Sequence, residues 1–398
     1  VSSAGWQQDR LDRLDEVLAR HVEQGSARGV AWAVSRDGQV HEGGAGQLGD
    51  DGPAPASDSI FRISSMTKPV TAAAALSLVE DCTLRLDDPV DHLLPELADR
   101  QVLVAGAASL DAVVPAERPV TLRDLLTFRM GLGNDFTTTA PQVSLDALVE
   151  RGLPVGPPNP AAVPAPDEWM RILGSVPLEF QPGERWLYHM SADVLGVLIA
   201  RAAGQPLDEV FRERIFEPLG MLDTGFSVPA GALDRFGPCQ TTDPLTGQRG
   251  VFDPIDGQWS EPPAFPGGGA GLVSTVSDFL RFAEMLLAGG TVGGTRILSP
   301  PSIAAMTTDH LTEAQRTTSS PDPSGAQGWG FGVGVQRVRT GPTTTPGRYG
   351  WDGGLGTSWA NDPTERLIGV LLTTESWTSP TPPAICNDFW TATYASLA

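Results

Sequence analysis

Apolar residues recur at helical spacing near the start of the chain. Over residues 7–23, Leu11, Leu14, Val17 and Leu18 lie three and four apart, which predicts a helix with one buried face. A hairpin is predicted next: an apolar arm over 29–34, the turn signal Asp37-Gly38, and a returning arm over 39–43. From Thr67 to about Leu233 the pattern turns helical, with segments at 70–80, 121–127, 190–203 and 207–215 divided by loops rich in Pro and Gly. The stretch between Arg151 and Trp169 is too proline-dense for a helix or a central strand and reads as a wall over a site. Beyond about residue 240, strand-like runs dominate at 330–336, 358–360 and 367–373, interrupted by a helix at 277–288 and closed by another near 384–396. Strands at the two ends and helices in the middle predict an α+β protein. Residues 1–66 and 240–398 would form a sheet lobe, residues 67–239 a mostly helical inserted lobe, and a site would lie in the cleft between them.

Composition narrows the function classes. The 398 residues carry 27 Lys plus Arg against 48 Asp plus Glu, a net charge of -21, and a field of that sign repels nucleic-acid backbones and anionic membranes. No apolar run approaches the ~18 residues of a membrane span, and the start at Val1 shows no basic-then-apolar leader, so a soluble protein is expected, with the cytoplasm favoured over export. The three cysteines, Cys82, Cys239 and Cys386, are far apart and odd in number, which favours buried free thiols over a disulfide. The five histidines show no metal-ligand spacing, so no metal and no cofactor is expected.

Chemistry concentrates at Ser65 and Lys68, three apart at the start of the first helical stretch. On a helix the two share one face, with Cβ atoms roughly 5–6 Å apart. A serine hydroxyl is a weak nucleophile until a neighbour takes its proton, a buried lysine can become that neighbour, and a helix N-terminus supplies amide donors for an oxyanion. The pattern S-x-x-K alone is common, but Lys68 is the only lysine in the chain. Arginine stays protonated at any working pH and cannot act as a proton acceptor, which explains a single lysine in a chain that otherwise uses arginine. Tyr188, one of three tyrosines, lies where a loop enters the 190–203 helix, and its phenol could shuttle a proton between nucleophile and leaving group.

The segments Ser65-Met66-Thr67-Lys68, Val120 to Thr127, Met130-Gly131, Pro182-Gly183-Glu184 leading to Tyr188, Ile215 to Met221, Gly268 to Thr275 and Gly350-Trp351-Asp352-Gly353-Gly354 together resemble the serine β-lactamase-like, or penicillin-binding-protein-like, superfamily, in the family's order along nearly the whole chain. That resemblance implies an antiparallel sheet flanked by helices. It also implies Ser65 as acylated nucleophile, Lys68 as base partner, Tyr188 as proton relay, and the backbone N–H groups of Ser65 and Gly354 as oxyanion hole. Where penicillin-recognising members carry Lys-Thr-Gly, or His in place of the Lys, this chain has Trp351-Asp352-Gly353, three candidate substrate-binding positions. The change removes a cation, and Asp352 would repel an anion if it pointed inward. Trp351 at this position looks like the family VIII carboxylesterases, and Met190 stands where β-lactamases place an Asn two residues after the Tyr.

The expected activity is hydrolysis of small, short-chain esters through an acyl-enzyme. β-Lactamase, D-amino-acid peptidase or amidase, and acyltransferase chemistry on the same three residues remain open, as does a non-catalytic penicillin sensor. Whether Lys68 or the Tyr188 phenolate is the principal base is also open. A Ser-His-Asp hydrolase is disfavoured because no G-x-S-x-G occurs, and His189 and His310 read as structural or exposed positions.

Overall fold

In the computed structural model, residues 5–50, 52–243, 245–319, 322 and 324–398 are described. Strands β1 (Gly29–Arg36), β2 (Gln39–Gly46), β3 (Gln327–Trp329), β4 (Gly334–Gln336), β5 (Tyr349–Gly353), β6 (Thr357–Asp362) and β7 (Leu367–Thr373) form one antiparallel sheet in the order β3-β4-β5-β6-β7-β1-β2. The β1–β2 hairpin closes on Asp37 and Gly38, both at positive φ, the geometry an Asp-Gly two-residue turn supplies.

Alternation along the central strands sorts side chains to two cores. Val30, Trp32 and Val34 of β1 and Leu367 and Leu371 of β7 meet α1 (Gln8–Glu23) and the C-terminal helix (Ala384–Ala395) through Leu11, Leu14, Leu18, Phe389 and Trp390. Ala31 and Ala33, with Ile368, Val370 and Leu372, face the larger core, which takes in the helix over Thr67–Glu80, here α2, and the helix over Val276–Leu287. α2 is buried from Thr67 through Leu76 and shows no polar face, as befits a helix at the centre of the molecule.

Several sequence expectations change on folding, among them the 151–169 stretch, which holds a 3-10 turn over Pro160–Ala162 and the start of a helix over Pro166–Gly174. The 330–336 run is the turn and second arm of the β3–β4 hairpin. At its turn Gly332 has φ +70° and lies so close to α2 that a Cβ would sit 2.9 Å from the Lys68 carbonyl oxygen. The 207–215 helix is α only over Leu207–Phe211 and continues as a π turn over Arg212–Phe216. Pro218 lacks an N–H and its ring crowds the carbonyl four residues back, which loosens the ladder. Cys82 is exposed in the turn after α2, whereas Cys239 and Cys386 are buried free thiols.

Candidate active site

Ser65 lies in a 3-10 turn over Ser64–Met66 that runs directly into α2, and Ser64 before it is in the left-handed region at φ +46°. The offset of three residues brings the Lys68 Nζ to 2.9 Å from the Ser65 Oγ. Lys68 is 1% exposed, and burial pulls its pKa down to about 7 although the Asp193 carboxylate opposes the shift. An amine near neutrality in contact with a serine hydroxyl can take its proton and leave a nucleophilic oxygen.

Behind the serine, the end of β5 and the start of β6 press on its turn. Thr357 Oγ1 donates to the Ile63 carbonyl at 3.0 Å, and a Cβ on Gly353 would sit 2.3 Å from that same oxygen. Gly353 is thus a close-approach glycine that lets β5 reach the turn carrying Ser65. Gly354, the next residue, lines the same cavity as Ser65.

Tyr188 is held by a two-way backbone pair with Asn134, at 2.9 and 2.8 Å. Its ring packs among Phe128, Phe136, Trp186 and Trp351, and the Lys68 Nζ lies 4.5 Å from its centroid. Burial in this aromatic box pushes the phenol up to about 12, against hydrogen bonds with Ser65 and Trp351 that lower it. Trp351 Nε1 donates to the Tyr188 hydroxyl oxygen at 2.7 Å. Trp351 therefore touches the Ser65, Lys68 and Tyr188 cluster directly.

Asp352, its neighbour on β5, points to the opposite face of the sheet. There its carboxyl accepts from Ser358 Oγ at 2.5 Å, Ser358 accepts from Trp390 Nε1, and Arg348 lies over the Trp390 ring. Asp352 lines the same cavity as Ser65, but its carboxyl is turned away to Ser358, because consecutive strand residues face opposite ways. Burial holds that carboxyl above its usual range.

Sequence reasoning missed His189. Its Nδ1 lies 3.2 Å from the Lys68 Nζ and its Nε2 3.2 Å from the Asp193 Oδ2, so it belongs to the site. Its backbone, at φ 80° and ψ -66°, forms a γ-turn of the strained hand closed by Met190 N–H donating to the Tyr188 carbonyl, a conformation that costs roughly 1–3 kcal/mol. His310 is elsewhere, stacked on Phe331 and bonded to the Ala305 carbonyl. Met190 is buried in the main core.

The cavity above Ser65 has a volume of about 710 Å³. Phe136, Pro157, Pro158, Trp351 and Leu355 supply apolar wall, so the proline-rich loop does border the site. The cavity also reaches Arg348 and Trp390 beyond the strand edge. Among the described residues no group of three His, Cys, Asp or Glu side chains could hold a metal, and no helix is long and apolar enough to cross a membrane.

The chain is similar over almost its whole length to known proteins. Protein Rv1367c of Mycobacterium tuberculosis is 38% identical over 350 residues, covering 86% of this chain and 84% of its own. Esterase EstB of Burkholderia gladioli is 31% identical over 392 residues, covering 93% and 92%. Among solved structures, EstCE1, described as a hydrolase with promiscuous acyltransferase activity, superposes with a TM-score of 0.77 at 24% identity over 97% of this chain and 99% of its own. The Beta-lactamase family model matches residues 14–383, and the chain accordingly belongs to that family, as a serine hydrolase of the β-lactamase-like superfamily.

Proposed function

We propose that the protein is a carboxylesterase that cleaves small, short-chain, uncharged esters through an acyl-enzyme on Ser65. The observation that carries this reading is the buried Lys68 amine, lowered to about 7 and 2.9 Å from the Ser65 hydroxyl. An amine so lowered is available unprotonated near neutral pH to accept the serine proton as the hydroxyl attacks the ester carbonyl. Tyr188, with its phenol pushed up to about 12, stays protonated and serves as the acid that passes a proton to the leaving alkoxide. In this reading Lys68 is the principal base and Tyr188 the acid.

The backbone N–H groups of Ser65 and Gly354 would hold the carbonyl oxygen as charge develops on it. Water then takes the place of the alcohol and the same groups run the steps in reverse. The neutral indole N–H of Trp351, where penicillin-recognising relatives place a cation, and the apolar wall from Phe136, Pro157 and Pro158 favour an uncharged acyl group over a substrate carboxylate. The 31% identity to a protein named as an esterase supports the same reading.

The test is a pair of initial-rate assays, p-nitrophenyl butyrate and a chromogenic cephalosporin, on wild type, Ser65→Ala and Lys68→Arg. Ester turnover lost in both variants, with little cephalosporin opening, is expected. Ester turnover surviving Ser65→Ala would remove the nucleophile, and fast cephalosporin opening would make the protein a β-lactamase.

A further inference from the structure

A neutral lysine amine has two N–H bonds and one lone pair, and only the lone pair can take a proton from Ser65. Three groups surround the Lys68 Nζ: the Ser65 Oγ at 2.9 Å, the Gly269 carbonyl oxygen at 2.7 Å and the His189 Nδ1 at 3.2 Å. The Gly269 carbonyl can only accept. Whether His189 accepts or donates depends on its tautomer, and Asp193 decides it. The Asp193 Oδ1 accepts the Gly269 N–H at 2.8 Å, and the Oδ2 lies 3.2 Å from the His189 Nε2. An ionised carboxylate only accepts, so the Nε2 carries the hydrogen and the Nδ1 presents a lone pair to Lys68.

Resting on the Ser65 and Lys68 reading above, we infer that Asp193 and His189 are positioning residues that consume one N–H of Lys68, so that with Gly269 taking the other the amine lone pair faces the Ser65 hydroxyl. The same carboxylate organises both acceptors, since its two oxygens hold the Gly269 amide and the His189 ring. The packing leaves little slack: a Cβ on Gly269 would lie 2.9 Å from the Asp193 Oδ1 and 3.0 Å from the His189 Cε1. The titratable groups near Lys68 are Tyr188, His189 and Asp193.

The decisive variant is Asp193→Asn. The Gly269 N–H still demands an acceptor, so the amide oxygen stays there and the NH2 faces the His189 Nε2. That nitrogen must then accept, the hydrogen moves to Nδ1, and the His189 N–H captures the Lys68 lone pair in competition with Ser65. The experiment measures pre-steady-state acylation by p-nitrophenyl butyrate for Asp193→Asn, His189→Leu, His189→Asn and the double variant Asp193→Asn with His189→Leu. Imidazole ¹⁵N spectra of the wild type and Asp193→Asn are recorded alongside.

Asp193→Asn is expected to lower the acylation rate at least about tenfold with KM nearly unchanged and to move the His189 proton from Nε2 to Nδ1. Adding Asp193→Asn to His189→Leu should cost little more, and His189→Asn, whose amide oxygen can replace Nδ1 as acceptor, should recover most of the rate lost in His189→Leu. Wild-type acylation by Asp193→Asn, or strictly additive losses in the double variant, would overturn the inference. If Asp193→Asn does not fold, equal rates for His189→Leu and His189→Asn overturn it instead. Activity surviving Ser65→Ala would sink the parent reading; its loss, combined with normal acylation by Asp193→Asn, would sink the positioning pair alone.

Discussion

Trp351 donates its indole N–H to the Tyr188 hydroxyl oxygen across 163 residues of chain, at 2.7 Å. An indole N–H can only donate, so it occupies a lone pair of the phenol oxygen and leaves the phenol's own hydrogen free for the serine or the leaving group.

Trp351→Phe keeps an aromatic ring, though a smaller one, and deletes this donor. It should lower kcat by about tenfold, the worth of one hydrogen bond of ~1.4 kcal/mol, and leave KM for p-nitrophenyl butyrate within a factor of about two. An unchanged kcat would make Trp351 a wall and nothing more.

Because the Lys68 amine must be unprotonated to accept a proton, kcat/KM should rise with pH through an apparent pKa of about 7 and then level off. Lys68→Arg, always protonated, should lose about 10²–10⁴-fold and the rising limb with it. A pH-rate profile of both proteins checks this, and a flat profile below neutrality in the wild type would remove Lys68 as base.

The same burial has a stability consequence with a definite sign. The Lys68 pKa is about 7 folded against 10.5 for the free side chain, so between those values the unfolded chain binds more protons. Stability from this group is therefore lowest below about pH 7 and rises towards pH 10. Urea melts at several pH values should show the wild type gaining stability relative to Lys68→Met over that window; parallel curves would contradict the lowered pKa.

Arg62, three residues before Ser65, is buried with Asp253, the Gly237 and Pro254 carbonyls, and the face of Phe236. Asp253→Ala leaves that guanidinium uncompensated and should cost roughly 3–5 kcal/mol in urea unfolding, whereas a loss under ~1 kcal/mol would mean the pair is solvated.

Phe136, 52% exposed and packed on the Tyr188 ring, stands at the cavity wall. Phe136→Ala should raise kcat/KM for p-nitrophenyl octanoate relative to the butyrate by about tenfold, within the ~1–3 kcal/mol that apolar pocket changes supply. An unaltered chain-length profile would place the acyl group elsewhere.

What the sequence determined by itself is what depends on near neighbours. The spacing of Leu11, Leu14 and Leu18 made a one-faced helix, Asp37-Gly38 made the hairpin turn, and the three-residue step from Ser65 to Lys68 put both groups on one face. The absence of any other lysine singles out Lys68 in the sequence itself. The tertiary structure decided the contacts between distant segments: Trp351 with Tyr188, Asp352 turned to the far side of the sheet, and His189 against Lys68 at a separation of 121 residues. Strand alternation could assign Trp351 and Asp352 to opposite faces but not say which face met the nucleophile. No periodicity foretells that His189 takes a strained γ-turn, because such a conformation is imposed by the packing around it and runs against the residue's own preference.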